Sequence, residues 1–321
     1  LIKIANYDVL TGLINRSLLI EKLKQSISYA RRHGTSLSVV FIDLDRFKPI
    51  NDTFGHQAGD KVIVEIAQRI KHKLRDNDIV ARLGGDEFVV VLEETQDIQS
   101  VNKVVQELLI ILEQPIYIGS HSVSVSGSAG IAMYPDDAID AENLLRNADV
   151  AMYSAKELGK NGYQHFTTTM NEKVQFNMLL QNKLKVAVAR NEFENYYQPI
   201  IDVKNKKTVG FEMLMRWHSD SKAISPCVFI PIAEHLGLIV EMTIKAIERG
   251  LNDVAKWYEQ GFRGYMAINL SAKQFSTRPD FEKILQLLSD YGLPASCLRF
   301  EITEGLLIDN NDKTIDYMHE M

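Results

Sequence analysis

Two acidic clusters in the first hundred residues have the types and spacing for cation-assisted chemistry. Asp43 and Asp45 follow an apolar run, residues 37–42, that is β-branched at Val39, Val40 and Ile42. Asp86 and Glu87 follow Gly84 and Gly85, between two further apolar runs. Carboxylates crowded together at adjoining strand ends repel one another and call for a cation. Magnesium, a hard ion that prefers carboxylate, phosphate and water oxygens, suits them, with manganese as a substitute. Two such ions can stabilise the attacking and leaving oxygens of a phosphoryl displacement. The glycines remove side-chain bulk, so a nucleotide can approach the backbone closely. Taken alone, these residues are a weak signal, because acidic turns at strand ends are usually just solvated.

For the two clusters to meet, a strand end must lie beside a hairpin. Residues 16–33 read as a helix, with Leu19, Leu23, Ile27 and Ala30 three or four apart and Gly34 as a stop. Residues 37–42 suit a buried strand. A second helix is expected over 61–74, with Val62, Ile66, Ile70 and Leu74 on one stripe. Short strands at 79–83 and 88–92 flank a hairpin turn at 84–87. Helices at 101–112 and 140–157, a strand over 122–133 and a closing strand at 163–166 complete an α/β domain. Its sheet is at least partly antiparallel.

Residues 167–190 contain no Pro or Gly and read as a polar linker helix. Strand-like runs follow at 196–202, 208–216, 265–270 and 298–303. Helical patterns at 227–260 and 281–291 separate the last three, an alternation that suggests the opening of a β/α barrel. The expected organisation is a domain over 1–166, a linker helix over 167–190 and part of a second domain over 191–321.

The bulk properties narrow the function classes. At 45% hydrophobic and 24% charged, the 321 residues have an ordinary globular composition with room for two domains. A net charge of -6 disfavours a nucleic-acid binder, which needs a basic face. No apolar run approaches the roughly 20 residues of a membrane span, and no secretory signal opens the chain, so a cytoplasmic location is expected. Cys227 and Cys297 form no CxxC pair and are expected to be two buried free thiols. The sequence opens at Leu1 rather than Met. It therefore reads as a fragment whose parent has an upstream sensory region, a place for a membrane anchor.

Gly84-Gly85-Asp86-Glu87-Phe88 resembles the signature of the GGDEF family of diguanylate cyclases. The stretch from Asp8 to Arg16 resembles the family's opening motif. Asp43-Leu44-Asp45-Arg46-Phe47-Lys48-Pro49-Ile50-Asn51-Asp52, then Gly55-His56 and Gly59-Asp60, resemble its first metal strand and following loop. Ala148-Asp149 and Ala151-Met152-Tyr153-Ser154-Ala155-Lys156 resemble its closing segment. The resemblance implies a GGDEF fold over residues 1–166 that joins two GTP molecules into cyclic di-GMP. It implies magnesium or manganese on Asp43, Asp86 and the Leu44 carbonyl, with Glu87 as base for the ribose 3′-hydroxyl. Asn51 and Asp60 would read the guanine edge, and a site built to pair polar groups rejects a base that leaves them unpaired. The Phe47 and Lys48 amides, with Lys156 and Lys160, would hold phosphates. Lys160 stands where the family commonly has Arg, so the bidentate fork is lost and weaker GTP binding is expected. The reaction needs two GTP sites facing each other and therefore implies a homodimer. Arg75 and Asp78 have the spacing of the family's RxxD product-inhibition site.

The second region resembles the start of an EAL phosphodiesterase domain. Gln198-Pro199-Ile200, Glu212-Met213-Leu214-Met215-Arg216-Trp217, Asn269-Leu270-Ser271 and Glu301-Ile302-Thr303-Glu304 carry the likeness. Met213 stands where Ala is usual. The resemblance implies that Glu212, Asn269 and Glu301 ligate metal, that Arg216 meets a phosphate and that Glu304 braces a loop. The family's later carboxylates and lysine lie beyond Met321, so no phosphodiesterase activity is expected of these 321 residues alone. Two other readings remain: a phosphodiesterase parent whose GGDEF domain binds GTP as a regulator, and a non-catalytic cyclic di-GMP receptor.

Overall fold

The computed structural model describes residues 6–95, 97–219, 222–270 and 281–302. The chain divides into two compact units, residues 1–174 and 175–321.

The first unit is built on β1 (Ser36–Leu44), whose residues after Ser36 are all buried. A strand covered on both faces must be apolar throughout, and the two faces feed different cores. Val40, Ile42 and Leu44 pack in one cluster with Val62, Ile66 and Ile70 of α3 (His56–Lys73) and Val105 and Leu108 of α4 (Ile98–Leu112). Leu37, Val39 and Phe41 pack in the other, with Leu19, Leu23 and Ile27 of α1 (Arg16–His33) and Leu144, Ala148 and Met152 of α5 (Ala141–Glu157). The sheet order is β2-β3-β1-β6-β7, where β2 is Ile79–Gly84, β3 Glu87–Thr95, β6 Gly127–Tyr134 and β7 Gly162–His165. All its pairings are antiparallel except β6 with β7, which is parallel.

Local chemistry ends the helices where the site needs them to end. Asn15 caps α1 by accepting from the Leu18 amide at 3.2 Å, and Gly34 closes it in the left-handed region at φ 65°. Asp140 caps α5 through the Asn143 amide at 2.9 Å. Gly130 of β6 lets α5 close in: a Cβ there would lie 2.0 Å from both the Ala148 oxygen and the Met152 nitrogen.

The second unit contains the C-terminal two thirds of α6 (Thr168–Arg190), which buries Leu180, Leu184, Ala187 and Val188. A long antiparallel hairpin, β8 (Phe193–Asp202) and β9 (Lys207–Ser219), is extended by β10 (Lys222–Ile224). From β9, α7 (Pro226–Leu236) and α8 (Ile239–Glu259) lead to β11 (Tyr265–Leu270). The helix α9 (Phe281–Asp290) precedes β12 (Leu298–Ile302). Strands β9, β11 and β12 are mutually parallel neighbours, the strand–helix–strand repeat of a β/α barrel, here as an open sheet.

Several sequence expectations need correction. A helix, α2 (Phe47–Phe54), stands in the segment after β1, where the sequence suggests only a loop. The run over 122–133 is two elements: β5 (His121–Val123) pairs with β4 (Ile116–Ile118), and β6 starts only at Gly127. Helix α3 begins five residues before the expected 61, because Gly55 at φ 82° turns the chain sharply between α2 and α3. Cys297 is buried, but Cys227 is exposed in the first turn of α7. Among the described residues no helix is long and apolar enough to cross a membrane.

Candidate nucleotide and metal site

The antiparallel register of β1 and β3 sets Asp43 directly opposite Glu87. The Leu44 amide donates to the Asp86 carbonyl at 3.3 Å, which ties the turn to the strand end. Gly84 and Gly85 adopt φ 151° and 53°, values that a side chain would strain. The Arg82 guanidinium grips the turn, donating to the Gly85 carbonyl at 3.1 and 2.7 Å and to the Asp8 carboxylate at 2.9 and 3.1 Å. Asp8 and Arg82 are supporting residues that sequence reasoning missed. Their only signal was Asp8 within the opening motif.

Asp43 and Asp45, two residues apart, have different surroundings. Asp45 is tied up: it accepts from Ser126 Oγ at 2.9 Å, Ser128 Oγ at 2.8 Å and the Asn161 amide at 3.0 Å. Asp43 has the ammonium of Lys156, from α5, at 2.6 Å. Desolvation pushes the Asp43 carboxyl above its ordinary value, and the nearby charges of Asp86 and Asp45 add to it, while Lys156 opposes them. Desolvation likewise raises Glu87, reinforced by Asp149, Asp43 and Asp86. Asp149 lies seven residues before Lys156 on α5, so both sit on one helix face. It went unassigned in the sequence, although a carboxylate two turns from a lysine expected to hold phosphate was a readable signal. A cavity of about 320 Å³ opens beside Glu87, lined by Arg16, Phe41, Arg146 and Asp149 among others.

The donor chemistry fits a hard cation. Asp43 and Asp86 offer carboxylate oxygens whose mutual repulsion a cation would relieve, and Leu44 offers a carbonyl. Among the described residues no group of three or more His, Cys, Asp or Glu side chains is placed to hold a metal. Magnesium keeps water and completes its shell with substrate phosphates, so it needs few protein donors.

Phe47 begins α2 and is buried, whereas Lys48 beside it is exposed. Asn51, one turn on, lies against Gly59 of α3, and Asp60 follows Gly59 and is exposed. Lys160 is exposed in the turn between α5 and β7, in left-handed backbone at φ 65°. Arg75 and Asp78 close the turn between α3 and β2. The Asp78 carboxylate accepts from the Arg75 amide at 3.0 Å and the Glu93 amide at 3.3 Å, and the Arg75 side chain is exposed. Both border a cavity of about 160 Å³.

In the second unit, Asn269 donates to Glu212 at 2.7 Å across β11 and β9, and Glu301 is the register partner of Asn269 on β12. Arg216 instead donates to the Met215 carbonyl at 3.0 Å and lies 5.5 Å from the Tyr196 ring centre. Glu304 lies outside the described residues.

The family described as "Diguanylate cyclase, GGDEF domain" matches residues 5–162, and the family described as "EAL domain" matches residues 181–321. The chain belongs to the GGDEF–EAL tandem family. It is 36% identical over 323 residues to the bifunctional diguanylate cyclase/cyclic di-GMP phosphodiesterase MucR of Pseudomonas aeruginosa, covering 100% of this chain and 47% of that protein. It is 33% identical over 318 residues to the cyclic di-GMP phosphodiesterase PdeR of Escherichia coli, covering 99% of this chain and 48% of that protein. The GGDEF–EAL chain thus spans about half the length of these curated relatives. Among solved structures, the isolated GGDEF domain of TpbB (YfiN) from Pseudomonas aeruginosa superposes with a TM-score of 0.52. It is 39% identical and covers 53% of this chain and 99% of that one. The tandem places the protein in cyclic di-GMP signalling.

Proposed function

We propose that the GGDEF unit condenses two GTP molecules into cyclic di-GMP, with magnesium or manganese, in the cytoplasm. The observation that carries this reading is the register pairing of Asp43 with Glu87 beside Lys156. Asn51 and Asp60 hold the guanine edge, and the Phe47 and Lys48 amides with Lys156 and Lys160 hold the triphosphate. Glu87 accepts the proton of a ribose 3′-hydroxyl. The freed 3′-oxygen bonds to the α-phosphorus of the other GTP, and the bond to pyrophosphate breaks. The same step in the opposite sense closes the ring and releases a second pyrophosphate. A bound divalent cation would neutralise charge on the reacting phosphate. Each unit supplies one GTP, so the active form is a homodimer. Product binding at Arg75 and Asp78 restrains it.

Purified protein with GTP and magnesium is expected to yield cyclic di-GMP. Glu87→Gln should lower the rate by about 10²–10⁴, the usual worth of a general base. Absence of product from a dimeric wild-type sample refutes the reading.

A second reading is favoured by relatives named as phosphodiesterases and by the Glu212–Asn269 pair beside Glu301. In it, the GGDEF unit binds GTP to regulate hydrolysis of cyclic di-GMP by the complete protein. GTP-stimulated hydrolysis without synthesis would favour it.

A further inference from the structure

Gly59 is the fourth residue of α3, in ordinary helical backbone, where glycine is a poor helix former. No left-handed φ requires it. Space does: a Cβ at Gly59 would lie 1.9 Å from Asn51 Oδ1, 2.9 Å from Asn51 Cγ and 3.1 Å from Phe47 Cζ. Phe47 and Asn51 are one turn apart on α2, so one face of that helix rests on the bare backbone of Gly59. The carboxamide of Asn51 occupies the volume a methyl group would take.

We infer that Gly59 is a positioning residue for base recognition: it seats the Asn51 carboxamide against α3, alongside Asp60, so that the two polar groups present themselves together to a guanine. The inference rests on the guanine-reading role proposed for Asn51 and Asp60. It follows that Gly59→Ala leaves the fold intact. The nearest obstructing atom is the free end of a flexible side chain, which rotates away, and alanine favours the helix. What is lost is the orientation of Asn51 and with it about one hydrogen bond to the base, worth roughly tenfold in affinity.

Calorimetry with magnesium and 3′-deoxy-GTP, which binds without being condensed, tests this on the whole chain. Wild type, Gly59→Ala, Asn51→Ala and the double variant are compared. Each single variant is expected to bind roughly tenfold more weakly than wild type, and the double no more weakly than Asn51→Ala, because removing the carboxamide makes room for the methyl. The melting temperature of Gly59→Ala should equal or exceed that of wild type. Should Gly59→Ala alone unfold while the double variant folds, the glycine serves packing of α2 on α3 and not the orientation of Asn51, and the inference is overturned. Wild-type affinity in Gly59→Ala, or additive losses in the double variant, overturns it while leaving the guanine site in place. Failure of wild type to bind 3′-deoxy-GTP overturns the guanine reading and the inference with it.

Discussion

Removing Lys156 should expose how much the acidic turn depends on one counter-ion. Its ammonium is 2.6 Å from Asp43, and the two side chains are only 28% and 12% accessible, so bulk solvent screens the pair poorly. Two unit charges about 4 Å apart interact by about 4 kcal/mol at an effective dielectric near 20. Desolvation and side-chain ordering consume part of this, leaving about 1.5–3 kcal/mol for a hydrogen bond between charged groups. Lys156→Gln should therefore lower the unfolding free energy by about that amount near neutral pH, measured by urea denaturation in chelator. The pH dependence follows from Asp43 and Glu87, which both titrate above their unfolded values, and Lys156 opposes both shifts. A carboxyl with a raised folded value destabilises the fold as pH rises through that value. Without Lys156 this penalty grows, so the deficit of the variant is largest at neutral pH. It closes once the pH falls below the ordinary carboxylate range, where both states are protonated. A deficit of equal size at both pH values would refute the reasoning and assign Lys156 a packing role for its aliphatic stem. No deficit at neutral pH would show that the ion pair has no net worth.

Four further substitutions probe the surroundings. Asp45→Asn should cost about 1–3 kcal/mol in urea denaturation, because an amide NH₂ then meets donors now satisfied by carboxylate oxygens. Gly130→Ala drives a methyl into helix backbone that cannot yield, so a loss of about 3 kcal/mol is expected, together with weaker GTP binding as α5 and Lys156 are displaced. Arg75→Ala should relieve inhibition by added cyclic di-GMP in initial-rate assays while changing stability by less than about 0.5 kcal/mol. Asp78→Ala also opens the turn its carboxylate closes, so it should cost about 1–3 kcal/mol as well.

The central strand was legible because burial on both faces demands an unbroken apolar run, and residues 37–42 supply one. The helices α1 and α5 were legible because each buries one stripe and ends on a side-chain or glycine cap. Helix α2 was not. It is eight residues long with Pro49 inside its first turn, and its apolar residues Phe47, Ile50 and Phe54, though spaced three and four apart, make too short a run to stand out beside a proline. The β4–β5 hairpin escaped because each strand has three residues and little is buried there. Cys227 was misjudged because the apolar letters around it suggest burial, but a residue in the first turn of α7 can face outward while Phe229 faces in.

For the site, residue type and spacing identify the acids but do not rank them; only the family resemblance set Asp43 apart from Asp45. Asp43 and Asp45 stand two residues apart at the end of one apolar run, the spacing that puts both on one face of a strand. What separates them arrives from far along the chain: Ser126, Ser128 and Asn161 reach Asp45, while Lys156 reaches Asp43. No local pattern encodes contacts that span more than 80 residues. The distinction has a chemical consequence. An aspartate whose lone pairs are spent on hydroxyls and a backbone amide is part of the scaffold. An aspartate paired with one lysine can exchange that partner for a cation, and the lysine it releases is then free for a phosphate. Two aspartates that look alike in the sequence thus take opposite roles, one fixing the end of β1 and the other leaving it chemically available.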